Sequence, residues 1–590
     1  MAIKYSDQLM IWLKDLGYTH CLFLAGGGSM HLLDSASKYF ECIPFVHEVS
    51  AAIATEYFNE SAPNNKKAFC LVTTGPGLTN TVTAISGAWL ESHELLVIAG
   101  QVKKADLASN GIRQRGIQEL PGVEIVTPIT KCSVRIEDPV DEETFKNYVV
   151  KGFINRKGPV VLEVCIDASA KPVDFENNHI SLEKTADFYV DESVNLTLGQ
   201  MIKQSERPLI MIGAGISREA VEILLSEIEN TSIPIATTWS GADRVPSTYK
   251  SYAGRPNTFG MRWANVYQQQ CDLLISIGAR LGLQQTGFNW ELFCPKAKIV
   301  MIDIDSAEIN KGHPKIDLGI VVNADIYSTK LSEILLSNLG DIKEWVHFLG
   351  LIKDELPIIE PCHNVTKNYV DPYKFIKYIE SLTTSNDIFT PGTSGGTHTA
   401  FYQTFYNKKA QKIIPNKGLA SMGYGMAGGI GAAIANPNSR IINFEGDGSF
   451  SQNSQELATI VRNKLNMKIF ITSNNGYASI RTSQISYFQN NYIGCDAESG
   501  LGFPNLEKLA NAFGITYCKV DVDYESNVTL HALFESDIPV IFDINADPEQ
   551  LYLPKITSSI NTNGIMTSNP LHQMTPELPE AVASRVFKYI

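Results

Sequence analysis

The chain has 590 residues, 44% of them hydrophobic and 19% charged, enough for three or four globular units and too apolar for a disordered polypeptide. A formal net charge of −14 argues against a broad nucleic-acid or anionic-membrane surface and points to small molecules and like subunits as partners. The ten cysteines stand singly, with no C-x-x-C pair, so neither zinc nor disulfides are needed and a reducing compartment is expected.

Taken in chain order, the N-terminus "MAIKYSDQLMIWLKDLG" lacks a signal-peptide pattern, and no run of about 18 apolar residues follows. A cytoplasmic protein without a membrane partner is expected. A first group of β-rich apolar runs, "HCLFLAGGG", "AFCLVTTGPG", "ELLVIAGQ" and "PVVLEVCID", ends each time in small or turn residues before a helix-period pattern. A second group contains "PLIMIGAGI", "LLISIGARLG" and "KIVMIDIDS", and a third "RIINFEGDG", "KIFITSNNG" and "PVIFDINAD". Unbroken rather than alternating hydrophobicity predicts strands buried on both faces, hence parallel sheets wrapped by helices. Two polar, poorly periodic stretches, 167–193 and 354–372, separate the groups. The expected architecture is therefore α/β: three doubly wound parallel-sheet domains at 1–170, 194–345 and 370–550. A Pro/Thr/Asn-rich tail, 551–590, is either a flexible end or a lid.

The stretch "EGDGSFSQNSQELA" places Gly446, Asp447, Gly448 and Ser449 where a buried strand meets a helix, the usual ligand position in open parallel sheets. It is not an EF-hand, because Gln452 holds the sixth position where the sharp turn needs Gly, and it lacks the Gly-Lys-Ser/Thr end of a P-loop. After Gly448 come 25 residues and then Asn474-Asn475-Gly476 at the end of the next buried strand, "KIFITS". Adjacent parallel strands would bring a carboxylate, an amide oxygen and a backbone carbonyl to one sheet edge, half of an octahedral Mg²⁺ shell. Separately, Asp447 could simply cap a helix and Asn474 turn the chain; the pair at this spacing favours the metal.

This spacing resembles the thiamine-diphosphate (ThDP) enzymes, whose motif is GDG followed at this distance by NN or N. The resemblance implies Mg²⁺ on Asp447, Asn474 and the carbonyl of Gly476. "FVHEVSAAIATEYFNE" looks like the family's H-E-x-x-A segment and would make Glu48 the carboxyl that hydrogen-bonds the cofactor's aminopyrimidine. "LVTTGPGLTNTVTAISGAWLESHELLVIAGQV", which contains Pro76, is similar to acetolactate-synthase-like enzymes. "LASMGYGM" supplies Met422 as the apolar wedge under the bent cofactor, and "FLAGGGSMHLLDSA", with Gly28, corresponds to the Gly-Gly loop, although Gly26 replaces the family's Pro. "PGTSGG" (391–396), with Gly392 and Thr393, stands where synthases have V-G-Q-H near the diphosphate. The resemblance spans nearly the whole chain. It implies a pyrimidine-binding, a central and a diphosphate-binding domain. Cofactor contacts would come from Glu48, Pro76, Gly392, Thr393, Met422, Asp447, Gly448, Ser449, Asn474 and Gly476, and the active sites would lie between subunits of a homodimer or homotetramer.

The implied chemistry is decarboxylation of a 2-keto acid, pyruvate being the first choice, with catalytic roles for Glu48, Gly28 and Gln118. Simple decarboxylases of the family carry a His-His pair and a Glu six residues after the magnesium-binding Asn. This chain has no His-His, and the sixth position is Ile480, so carboligation to a carbonyl acceptor is expected rather than aldehyde release. Gln118, which aligns with the Gln of an A-F-Q-E segment, follows a run bringing Lys103, Lys104, Arg113 and Arg115 together; by default that run is a solvated loop, but it could receive an anion. "MIGAGI" and "GARLGLQQTG" look like FAD-contacting segments, but Gly282 and Gln284 depart from the pattern, and a tight βα turn would read the same. FAD is left open. Overall texture, including "TTWSGADRVP" and "GRPNTFGMRWAN", resembles the branch of surface-polysaccharide pathways, so the expected acceptor is a nucleotide-linked keto-sugar; the alternative is a second 2-keto acid, as in acetolactate synthase. Arg113, Arg115, Gln118 and Ile480 are the expected substrate-side residues. A catalytically silent subunit is disfavoured because Glu48, Asp447 and Asn474 are all present.

Overall fold

The computed structural model describes residues 3–63, 66–175, 180–186, 188–363, 368–393, 395–560 and 566–590. Ser394 of the 391–396 segment and residues 561–565 of the tail lie outside the described residues. Three separate parallel sheets form, one from each group of apolar runs. The first contains β1 (Tyr18–Phe23), β2 (Glu41–Pro44), β3 (Lys67–Val72), β4 (Leu95–Gln101), β5 (Cys132–Ile136) and β6 (Pro159–Cys165) in the order β2-β1-β3-β4-β6-β5. The second contains β7 (Pro208–Ile212), β8 (Ile235–Thr237), β9 (Leu273–Ile277), β10 (Lys298–Asp303) and β11 (Leu318–Val321) in the order β8-β7-β9-β10-β11. The third contains β12 (Ile388–Phe389), β13 (Lys412–Ile413), β14 (Ile441–Gly446), β15 (Met467–Ser473), β16 (Thr516–Val520) and β17 (Val540–Asn545) in the order β13-β12-β14-β15-β17-β16.

Every residue of β4, β6 and β14 is buried, as unbroken hydrophobicity predicts for strands covered on both faces. In each sheet the chain leaves the first strand for one side and then crosses to the other. A crevice therefore opens between β1 and β3, between β7 and β9, and between β12 and β14, the positions where doubly wound sheets bind ligands.

The first and third domains pack through α1 (Glu48–Ser61) and the glycine-rich α4 (Tyr424–Ala435). A Cβ on Gly431 would lie 1.8 Å from the Ala54 carbonyl oxygen, so only glycine permits this approach of the two backbones. Across the same interface the Tyr424 hydroxyl donates to Glu56, which also bonds His93 Nδ1 at 2.7 Å, and Glu91 accepts the backbone N–H groups of Lys417 and Gly418.

The tail is not a flexible end. Leu571, Met574 and Val586 enter the core of the central domain, and the buried Arg262 donates to the carbonyls of Met574 and Pro576. Tyr552, at the start of the tail, packs against Gly396. Among the described residues no helix is long and apolar enough to cross a membrane.

Candidate functional site

The third sheet builds one half of the site at the β12/β14 crevice. β14 delivers Gly446 into the short helix α5 (Asp447–Phe450), and the Asp447 carboxylate accepts backbone N–H groups from Gly448 (2.7 Å), Asn474 (3.2 Å) and Gly476 (3.0 Å). The last two follow β15 and close a tight turn: Asn475 has φ +59°, and Gly476 has φ +130°, where a Cβ would lie 2.1 Å from the Cys495 carbonyl oxygen. Arg481 fixes the turn from behind by donating to the carbonyls of Asn474 (2.6 Å) and Asn475 (2.9 Å). Burial pushes the Asp447 carboxyl up to about 6. Beside it the Asn474 side-chain oxygen is buried with no hydrogen-bond partner.

Such an orphan acceptor costs about 1–3 kcal/mol unless something else satisfies it. A hard cation would, taking one carboxylate, one amide oxygen and the free lone pair of the Gly476 carbonyl, whose other contact is Ala478 N at 3.0 Å. Among the described residues no group of three or more His, Cys, Asp or Glu could hold a metal, so a cation here would complete its shell with water or with oxygens from a ligand. The residues present fit Mg²⁺ held together with a diphosphate.

Short contacts fix the loops around it. Gly392 is held by the Phe444 carbonyl (2.7 Å), and the space a Cβ would need is filled by the Glu445 carboxylate, 2.0 Å away. Thr393 Oγ1 donates to the Ser421 carbonyl (2.6 Å), Ser449 Oγ accepts from Gly423 N (2.9 Å), and a Cβ on Gly448 would run into the Tyr477 ring. Met422 sits between them with 38% of its surface exposed, and Ile480 stands exposed in the first turn of α6 (Ala478–Phe488).

The first sheet builds the other half at the β1/β3 crevice. Gly28 N donates to Thr73 Oγ1 (3.1 Å), and a Cβ at position 28 would lie 1.9 Å from Thr74 Oγ1. At position 26 a Cβ would lie 2.3 Å from the Thr73 side chain, which accounts for glycine there. Pro76 starts α2 (Pro76–Asn80), preceded by Gly75 at φ +64°, and the Gln118 carbonyl oxygen occupies the space a Gly75 side chain would need. Gln118 is itself left-handed (φ +59°) and exposed. Glu48 opens α1; it is 7% exposed, and its carboxylate accepts from Asn80 Nδ2 at 3.0 Å. Gly28, Pro76, Gln118 and Glu48 are thus gathered on one sheet edge, and Asp447, Asn474, Gly476 and the Gly392 loop on another. No hydrogen bond among the described residues joins Glu48 to the second group.

Three supporting residues escaped the sequence reading. Glu456 accepts from Val46 N (3.4 Å) and His47 N (2.9 Å), and so caps the helix that carries Glu48 from a different domain. Asn80 orients the Glu48 carboxylate. Glu119 is buried and accepts N–H groups from Ala108 (2.9 Å), Arg115 (2.9 Å) and Gly116 (3.3 Å), and so folds the loop that presents Arg113 and Arg115. Both arginines are exposed and make no ion pair among the described residues, whereas Lys104 is taken by Asp138. Of the three, Glu119 carried a signal in the sequence, as the acid that follows Arg113 and Arg115.

At the third crevice, between β7 and β9, the backbones of Gly213 and Gly278 touch: a Cβ on Gly213 would lie 2.1 Å from the Gly278 carbonyl oxygen. Here a cavity of about 840 Å³, inside the usual range for cofactor-sized ligands, is lined by Gly215, Arg280, Asp303, Arg156, Trp239 and Lys417, among others.

Residues 3–125 match the family description "Thiamine pyrophosphate enzyme, N-terminal TPP binding domain", residues 197–331 its central domain, and residues 394–544 its C-terminal TPP binding domain. The chain belongs to the thiamine pyrophosphate enzymes. Among its relatives, the acetolactate synthase large subunit of Cyanidium caldarium is 30% identical over 522 residues, 86% of each chain. The probable acetolactate synthase large subunit of Methanocaldococcus jannaschii is also 30% identical, over 85% of each chain. The chloroplastic acetolactate synthase of Arabidopsis thaliana is 27% identical over 96% of this chain and 84% of its own. The two TPP binding domains of this thiamine pyrophosphate enzyme are those whose sheets carry the two halves of the site.

Proposed function

We propose that the protein binds thiamine diphosphate with Mg²⁺, decarboxylates a 2-keto acid and joins the resulting two-carbon unit to a second 2-keto acid. The buried, unpartnered Asn474 oxygen beside Asp447, at the β12/β14 crevice, carries this reading. The relatives' names favour a 2-keto acid acceptor over the nucleotide-linked keto-sugar expected from sequence texture.

Asp447, Asn474 and the Gly476 carbonyl hold the metal. Gly392, Thr393 and Gly448 border the phosphates, and the Ser449 hydroxyl, engaged by Gly423, shapes that loop. Met422 offers an apolar support for the ring system. Bound thiamine diphosphate would supply a carbon nucleophile for the keto carbonyl and an electron-poor ring to accept the electron pair left by departing CO₂. Glu48, oriented by Asn80, is the carboxyl that shares a proton with the aminopyrimidine nitrogen. Gly28 keeps space over the reacting carbon, while Gln118 and Ile480 border the substrate. Because Glu48 bonds within its own domain, a second copy completes each site in a homodimer or homotetramer. The β7/β9 cavity would hold a dinucleotide such as FAD, in a structural role, since the overall reaction needs no net redox change.

One observation favours the keto-sugar acceptor as a second reading: Arg113 and Arg115 are free of carboxylates on a loop folded by Glu119 and seated on Gly75. Incubation with pyruvate, ThDP and Mg²⁺, with and without a 4-keto nucleotide sugar, followed by mass spectrometry, separates the two. Acetolactate formed without sugar supports the proposal. A sugar product heavier by one acetyl unit, with little acetolactate, replaces it by the second reading, and no CO₂ in either arm removes both. An absorbance scan of the purified protein tests for flavin.

A further inference from the structure

His398 has no part in the roles assigned so far, yet it sits directly beneath the diphosphate loop. It lies on α3 (Gly395–Thr404), is 4% exposed, and its Nδ1 is 2.6 Å from the Gly392 carbonyl oxygen. A carbonyl only accepts, so Nδ1 carries the proton; burial, and then the charge of Lys417, keep the imidazole neutral. The ring is tilted against both Trp239 (centroids 5.1 Å) and Tyr402 (4.8 Å), at the edge of the stack these two make with each other at 4.6 Å. Lys417 Nζ covers the far side of Trp239, 4.5 Å from its centroid. The imidazole therefore has one orientation available, and its single donor is spent on one backbone carbonyl.

The consequence follows from peptide geometry. In a planar trans peptide the C=O and the next N–H point in opposite directions. With the Gly392 carbonyl drawn inward to His398, the Thr393 N–H points outward, toward the crevice shared with Asp447 and Gly448. Among the described residues that N–H makes no hydrogen bond. An outward backbone donor at the C-terminal edge of a parallel sheet is an anion ligand.

We propose that His398 is a positioning residue for the cofactor's diphosphate: it fixes the Gly392–Thr393 peptide so that the Thr393 N–H donates to a phosphate oxygen. This inference rests on the ThDP reading, and the test keeps the two apart. Calorimetric titration of full-length protein with ThDP in saturating Mg²⁺ is compared for wild type, His398→Phe and His398→Asn, with thiamine as a phosphate-free control. Phenylalanine keeps a ring against Trp239 and Tyr402 but has no donor; asparagine places its amide nitrogen near the position of Nδ1.

The expected result is a roughly tenfold loss of ThDP affinity in His398→Phe, recovery to within about threefold in His398→Asn, and no change for thiamine. His398→Phe binding ThDP as tightly as wild type, or His398→Asn as weak as His398→Phe, overturns the inference; so does an equal loss for thiamine, which would mark a general packing defect. Should His398→Phe not fold, His398→Ala replaces it, with the Asn variant still supplying the rescue. Wild type that fails to bind ThDP brings down the proposed function first, and this inference with it.

Discussion

Replacing Asn474 by Ala distinguishes a metal ligand from a turn residue, because the two roles move stability in opposite directions. Without bound metal, the Asn474 side-chain oxygen is buried and unpartnered. Deleting it relieves about 1–3 kcal/mol of desolvation, set against the loss of a few packed atoms, so the cofactor-free protein should melt within about 2 °C of wild type or above it. With Mg²⁺ and ThDP at about a hundred times the dissociation constant, binding should stabilise wild type by about 2.7 kcal/mol, or roughly 5–10 °C for a domain of this size. If the ligand is lost and affinity falls about a hundredfold, the same concentrations stabilise by only about 0.4 kcal/mol. Differential scanning fluorimetry with and without Mg²⁺-ThDP reads both quantities. A cofactor-free variant that melts far below wild type while keeping the full cofactor-induced shift would refute the reasoning and return Asn474 to a structural turn.

Glu48→Gln should bind ThDP with near-wild-type affinity and lose at least about a hundredfold in turnover, measured as CO₂ release from pyruvate; unchanged turnover removes Glu48 from the chemistry. At the interface of the first and third domains, burial opposes charge on His93, but Glu60 and Glu56 more than compensate and raise the imidazole to about 9. A raised folded value means that this contribution is complete below the unfolded value near 6.5 and fades as pH climbs through about 9. Denaturant unfolding should therefore show wild type losing stability between pH 6.5 and 9 with up to a one-proton slope that His93→Gln flattens; equal slopes would exclude His93 as the source. Gly26→Ala should destabilise by about 1–3 kcal/mol through its overlap with Thr73, and Thr73→Gly, which removes the clashing Cβ, should recover most of that loss in the double variant. Additive effects of the two changes would contradict the steric account.

What could be read from the sequence was local. The runs "LLVIAGQ" and "RIINFE" needed only unbroken hydrophobicity to be placed as doubly covered strands, and both are fully buried. Asp447 and Asn474 were legible because neighbouring parallel strands convert a sequence interval into a spatial one. Glu456 was not, since its partners are the amides of Val46 and His47, more than 400 positions away. His398 likewise looks like any buried helix histidine until α3 and the Gly392 loop are seen together. The tail misled for a different reason: its anchors Leu571, Met574 and Val586 are too sparse to form a periodic pattern, and they gain meaning only from the surface they meet.

The shared strand order of the three sheets has a consequence for how this architecture varies. Each crevice is created by the point at which the chain reverses its direction of travel across the sheet, so its location does not depend on which side chains line it. Relatives about 30% identical over most of the chain can therefore keep the same sockets while most of their residues differ. For an engineer this separates place from preference. Exchanging exposed residues of the 108–119 loop would alter the surface presented at the first crevice, while the strands continue to decide where that crevice lies.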